Sequence, residues 1–172
     1  QNAGIHVPGG SCASAVARGS KNSRQISLLA AEDTYRRIAA RCSAASVRCL
    51  SGATTYAVRL GNQSVQVNGA SYPLAVGADS GSLTVMVDGD VTLSGALTMP
   101  AGRAGRVTIA AHRRTAGDRQ PQVRITGPGA VGAADPAKDT VGVVTQGDVV
   151  LSIPPSCASA VNLATVSESG AV

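Results

Sequence analysis

The chain has 172 residues, a formal net charge of +5, no Phe, no Trp and three Tyr. That length fits one domain with its own core, but the missing rings exclude a core filled by large aromatics and leave Val, Ile, Leu and Ala to fill it. The 20 Gly, 8 Pro and 15% charged residues point away from a helical bundle and toward many short strands joined by turns.

Residues 1–21, with Pro8, Gly9, Gly10 and Gly19, read as an irregular lead-in. A helix is expected next, because Leu28, Ala31, Tyr35, Ile38 and Cys42 recur at spacings of three and four and form one apolar stripe. Asn22 and Gln25 suit a capping pair at its start. Arg36, Arg37 and Arg41 suit its C-terminal end, where the helix dipole favours cations. Residues 1–53 are therefore expected to form a lead-in and helical cap, and 54–172 a β unit continuous with it.

From about residue 54 the period changes to alternation. Tyr56–Leu60 and Ser64–Val67 come first, the latter followed by Asn68-Gly69, a strong turn signal. Leu83–Val87, Val91–Leu93, Arg106–Ala110, Gln122–Thr126, Val141–Val144 and Val149–Ile153 follow. Gly89-Asp90-Val91-Thr92-Leu93-Ser94 and Gly147-Asp148-Val149-Val150-Leu151-Ser152 are near copies. Steps from Val91 to Val107, Val123 and Val149 suggest successive coils about 16 residues apart, with 127–140 as an insertion. The expected fold is mainly β: a right-handed parallel β-solenoid (β-helix) with a short N-terminal α-helical cap. An antiparallel β-sandwich is the alternative, since short, evenly spaced strands fit both.

Cys12, Cys42, Cys49 and Cys157 form no CxxC and have no His at zinc-ligand spacing. Two disulfides in an oxidising compartment are expected, and with them an extracellular or cell-surface location; four buried thiols in a cytosolic protein are the alternative. Of the three connectivities, Cys42–Cys49 with Cys12–Cys157 is favoured. Apolar runs are too short to span a membrane, so any anchor is expected to lie upstream of Gln1.

No enzyme motif emerges. The chain lacks a G-x-S-x-G elbow and a Walker-type phosphate loop, and only His6 and His112 offer imidazole bases. Gly127–Gly132 satisfies G-x-G-x-x-G, but Pro136 follows and no helical stripe does, so a Gly/Pro loop is expected. Asp88 and Asp90 flank Gly89, and Asp135 and Asp139 lie around Pro136; tight turns are preferred here over a calcium site. No catalytic residue, metal or cofactor is expected. Residues 103–124 hold Arg103, Arg106, Arg113, Arg114, Arg119 and Arg124 against Asp118 alone. This stretch is the candidate contact for a polyanion such as DNA or an acidic glycan, or for a neighbouring subunit. The alternative is a solvated rim, with strand alternation spreading these Arg over different faces, and without interleaved aromatics base-stacking recognition is disfavoured.

The succession Val87-Asp-Gly-Asp-Val-Thr-Leu-Ser-Gly95, Gly105-Arg-Val-Thr-Ile-Ala-Ala111, Val123-Arg-Ile-Thr-Gly127 and Val141–Leu151 resembles the β-solenoid modules of large minor pilins and pilus-assembly proteins of bacterial type IV pilus systems. The resemblance covers about 70 residues. It implies a right-handed β-helix and a non-catalytic structural or adhesive module of an extracellular filament, whose partners are other filament or surface subunits. The family's processed leader and long apolar helix are not among these residues. A carbohydrate-binding or carbohydrate-active β-helix is the other reading, and it requires Asp88, Asp90 and Asp148 to converge.

Overall fold

The structure is a computed structural model and describes residues 29–77, 80–113, 115, 117–127, 131–152, 161–162 and 164–167. Its single described helix, α1 (Leu29–Ala39), precedes a chain of strands. These are β1 (Val47–Leu50), β2 (Thr55–Asn62), β3 (Ser64–Val67), β4 (Ala70–Pro73), β5 (Ala75–Val76), β6 (Ser80–Val87) and β7 (Asp90–Thr98). They continue as β8 (Ala104–Ala111), β9 (Val123–Thr126), β10 (Val131–Ala133), β11 (Thr140–Thr145), β12 (Val149–Ser152), β13 (Val161–Asn162) and β14 (Ala164–Ser167).

The strands form two mixed sheets. In the first, β1, β6, β8, β11 and β14 lie side by side, all parallel, and β5 adds an antiparallel edge to β6. In the second, β12, β9, β7 and β2 are parallel, and β2 continues into the antiparallel run β2–β3–β4. The last residues of β7 pair instead with β10, which also pairs with β13.

Alternation along each strand sends one set of side chains to a core shared by both sheets. From the first sheet come Leu83, Val107 and Val141 in one register row, and Val85, Ile109 and Val143 in the next. From the second come Val91, Val123 and Val149, with Leu93 and Ile125 beside them. Neighbouring strands lie about 4.8 Å apart, so equivalent β-branched side chains stack in direct contact and close the core without rings. Each such side chain contributes roughly 1.5–3 kcal/mol on burial. Tyr56, 3% exposed, is the one aromatic in this core among the described residues.

These pairings overturn the expected fold. The strands from 54 onward do not form a single parallel right-handed solenoid, because both sheets are mixed and β3, β4 and β5 run antiparallel to their neighbours. The 16-residue offset also fails: Val91 and Val107 lie in different sheets, and Val91 stacks on Val123 while Val107 stacks on Leu83 and Val141. Residues 127–140 are not a bare insertion, since they contain β10, a strand paired with β7. The antiparallel sandwich anticipates two facing layers but not their largely parallel pairing.

Nor does the helix cap an end of the stack. Met86, Ala110 and Val144 are in register on the first sheet, at positions that alternate with the core residues. They form a second apolar cluster with Tyr35 and Ile38 of α1 and with Cys42 and Cys49. The helix thus covers part of the sheet's outer face. Tyr35 Oη donates to Ala111 O at 3.0 Å, and its ring lies 5.6 Å from that of His112. The Cys42–Cys49 disulfide ties the chain just beyond α1 to β1, as expected from their spacing. Cys12, Cys157 and the Asn22/Gln25 pair lie outside the described residues. No helix among those residues is long and apolar enough to cross a membrane.

The duplicated Gly-Asp-Val segments mark corresponding corners, where the chain enters β7 and β12 of the second sheet. A Cβ on Gly89 would stand 2.7 Å from Thr54 O, and one on Gly147 would stand 2.2 Å from Pro121 O. Both glycines are therefore required by the close approach of a neighbouring layer's backbone.

Candidate partner-binding surface

The six arginines of 103–124 do not share one surface. Arg106 lies on the outer face of the first sheet, in register with exposed Ser82 and Thr140. Arg124 lies on the outer face of the second, in register with Thr92 and Val150. Arg103 is half-buried in the turn between β7 and β8, and Arg113 is half-buried just after β8. Arg119 is exposed in the segment before β9 and forms an ion pair with Asp90. Arg114 lies outside the described residues. Strand alternation and the crossing between sheets separate what is contiguous in sequence.

Arg103, Arg106, Arg113 and Arg124 have no carboxylate partner among the described residues. Arg124 instead donates to Ser152 Oγ at 3.0 Å and Gln122 Oε1 at 3.1 Å. Register also brings in a residue that the sequence cluster missed. Arg59 of β2 is exposed and paired with Ser94, while Arg124 pairs with Thr92 on the far side of the same strand. Two strand spacings and two residues along the strand place their Cα atoms about 12 Å apart. Thr92, Ser94, Thr126 and Ser152 share this face. The face thus combines two cations with hydroxyls, which suits anionic oxygens better than apolar ligands. The only sequence signal for Arg59 was its polar place in an alternating strand; its neighbours are set by pairing between remote strands.

The acids hold the backbone rather than form a constellation. Asp88 Oδ1 accepts from Tyr56 Oη at 2.6 Å, and Oδ2 from Gly52 N at 3.4 Å. Asp90 Oδ1 accepts from Gln122 N at 2.8 Å and its other oxygen engages Arg119. Asp148 is exposed one corner further on, two strands from Asp90 in the second sheet, roughly 10 Å away at ordinary strand spacing. Asp139 is buried, and its Oδ1 accepts from Gly105 N at 2.8 Å. Asp135 Oδ1 accepts from Ala137 N in the tight turn anticipated around Pro136. No group of three or more metal-ligating side chains occurs among the described residues.

His112 Nδ1 lies 2.9 Å from Arg113 O; His6 lies outside the described residues. Within Gly127–Gly132, residues 128–130 lie outside the described residues, and the motif runs into strand β10 where a dinucleotide fingerprint needs a helix. Compared with protein-family models, curated proteins and solved structures, the chain matches none of them.

Proposed function

We propose that the chain is a non-catalytic structural or adhesive module of an extracellular filament or pilus, and that the outer face of its second sheet contacts a polyanion. The observation that carries the polyanion contact is the placement of Arg59 and Arg124 on one hydroxyl-rich face with no carboxylate partner among the described residues. The filament assignment draws on the resemblance of residues 85–153 to minor-pilin modules. The Cys42–Cys49 disulfide favours an oxidising, extracellular setting. The carboxylates support the non-catalytic reading, because Asp88, Asp90 and Asp139 accept hydrogen bonds that fix loops and corners. DNA backbone and acidic glycans present the same chemistry, closely spaced anionic oxygens, and either suits this face.

Retention on duplex DNA as a function of salt provides the test. Each phosphate neutralised contributes about 0.9 to the slope of log affinity against log salt. The double substitution Arg59→Ser/Arg124→Ser is therefore expected to reduce the slope by about 2. Arg106→Ser, on the other sheet, is expected to leave it unchanged. Equal losses from both variants would show that net charge alone governs retention, and would remove the second-sheet face as the contact.

A further inference from the structure

A cleft of about 190 Å³ is lined by Cys49, Leu50, Ser51, Met86, Asp88 and His112. Small-molecule sites begin near roughly 300 Å³, so this one fits a single side chain better than a metabolite. Leu50, Met86 and the Cys49 half-cystine supply apolar wall suited to an alkyl stem. Its titratable groups are Asp88 and His112. Tyr56 Oη and Gly52 N hold the Asp88 carboxylate in place. His112 Nδ1 lies 2.9 Å from the carbonyl oxygen of Arg113, a group that only accepts, so this nitrogen donates there and holds the ring in place. A carboxylate beside an apolar wall complements a cationic donor on an alkyl stem.

The chain itself carries such groups in excess. Its net charge is +5, and Arg59, Arg106 and Arg124 are exposed without a carboxylate partner among the described residues. We propose that the cleft receives an arginine side chain from a second copy of this chain, with the guanidinium toward Asp88 and His112 and the stem along Leu50 and Met86. The contact deepens the filament reading and rests on it: it would be one subunit–subunit joint.

The test reads the His112 ring protons by NMR, assigned by comparison with His6→Gln, while blocked arginine is added to the dilute chain. A saturable shift is expected with blocked arginine and none with blocked norleucine, which has the stem without the cation. Asp88→Asn should abolish the shift. Because Asp88 also anchors Tyr56, Ser51→Trp provides a second variant that obstructs the cleft from an exposed position and leaves that hydrogen bond intact. Raising the concentration of the chain should reproduce the arginine-induced shift. No shift with arginine, or an equal one with norleucine, overturns the proposal. A shift with arginine but none with concentration overturns the second copy as the source. Sedimentation reads assembly separately: association that survives Ser51→Trp keeps the filament reading and removes this cleft as its joint.

Discussion

Gly147→Ala is expected to destabilise the fold by about 3 kcal/mol or more, among the largest effects of any single substitution in the chain. The added Cβ would stand 2.2 Å from Pro121 O, a distance at which one of the two backbones must move. The carbonyl is not free to do so, because it accepts a buried hydrogen bond from Thr145 Oγ1 at 3.0 Å. The same hydroxyl accepts from Gly147 N at 3.1 Å, so shifting the glycine breaks a second buried bond. Gly89→Ala meets Thr54 O at 2.7 Å and should cost less. Gly117→Ala, with nothing within 4 Å of the new atom, should stay within about 0.5 kcal/mol of the parent. Urea unfolding midpoints at constant m-value provide the measurement. Equal midpoints for Gly147→Ala and Gly117→Ala would mean that the two corners do not stack as described.

The second large effect is expected at Ile109, fully buried between Val85 and Val143 in the central rows of the first sheet. Ile109→Ala leaves a cavity in a core with few rings to collapse into it, and should cost about 3–4 kcal/mol; Ile109→Val should cost about 1 kcal/mol. Thr108, one residue away on the outer face and only half-buried, should tolerate Ala with a loss below about 1 kcal/mol. Unfolding monitored by circular dichroism separates these values. If Thr108→Ala proves as costly as Ile109→Ala, the assignment of inner and outer faces is reversed.

Much of the secondary structure was legible in the sequence. Alternation located the strands around Val58, Val85, Val107, Val123 and Val149, and the stripe through Tyr35 and Ile38 located the helix. Sheet membership was not legible. Val91-Thr-Leu93 and Val107-Thr-Ile109 carry the same apolar-polar-apolar beat, yet the first belongs to one sheet and the second to the other. A two-residue period shows which side chains face inward, but not which distant strand supplies the neighbour. The duplicated Gly-Asp-Val segments were visible as a repeat, while their cause, backbone pressed against each glycine, depends on a neighbouring layer. The helix's position was hidden for a similar reason: its apolar stripe demanded a partner, and Met86, Ala110 and Val144 supply one only because β6, β8 and β11 align them.

The same limit governed the candidate site. A run of arginines in sequence became residues on two sheet faces and the segments between them, and the arginine sharing a face with Arg124 came from β2, far upstream. The six-residue cluster was therefore a sound indicator of local charge and a poor guide to a surface. Reading Asp88 and Asp90 as turn-forming acids was closer to the geometry, although their partners, Tyr56 and Gln122, lie about thirty residues away in sequence.

Strand register separates Arg106 from Arg124 and brings Arg59 to the latter's face. Paired cysteines test it most directly. Thr84 and Thr108 are register partners on adjacent parallel strands, at a separation of about 4.8 Å that a disulfide spans. A 16-residue coil would instead stack Thr92 on Thr108, whereas these residues lie in different sheets. Oxidation followed by peptide mapping should give a Thr84→Cys to Thr108→Cys bridge in high yield and none between Thr92→Cys and Thr108→Cys. The reverse outcome would contradict the two-sheet arrangement and the surface built on it.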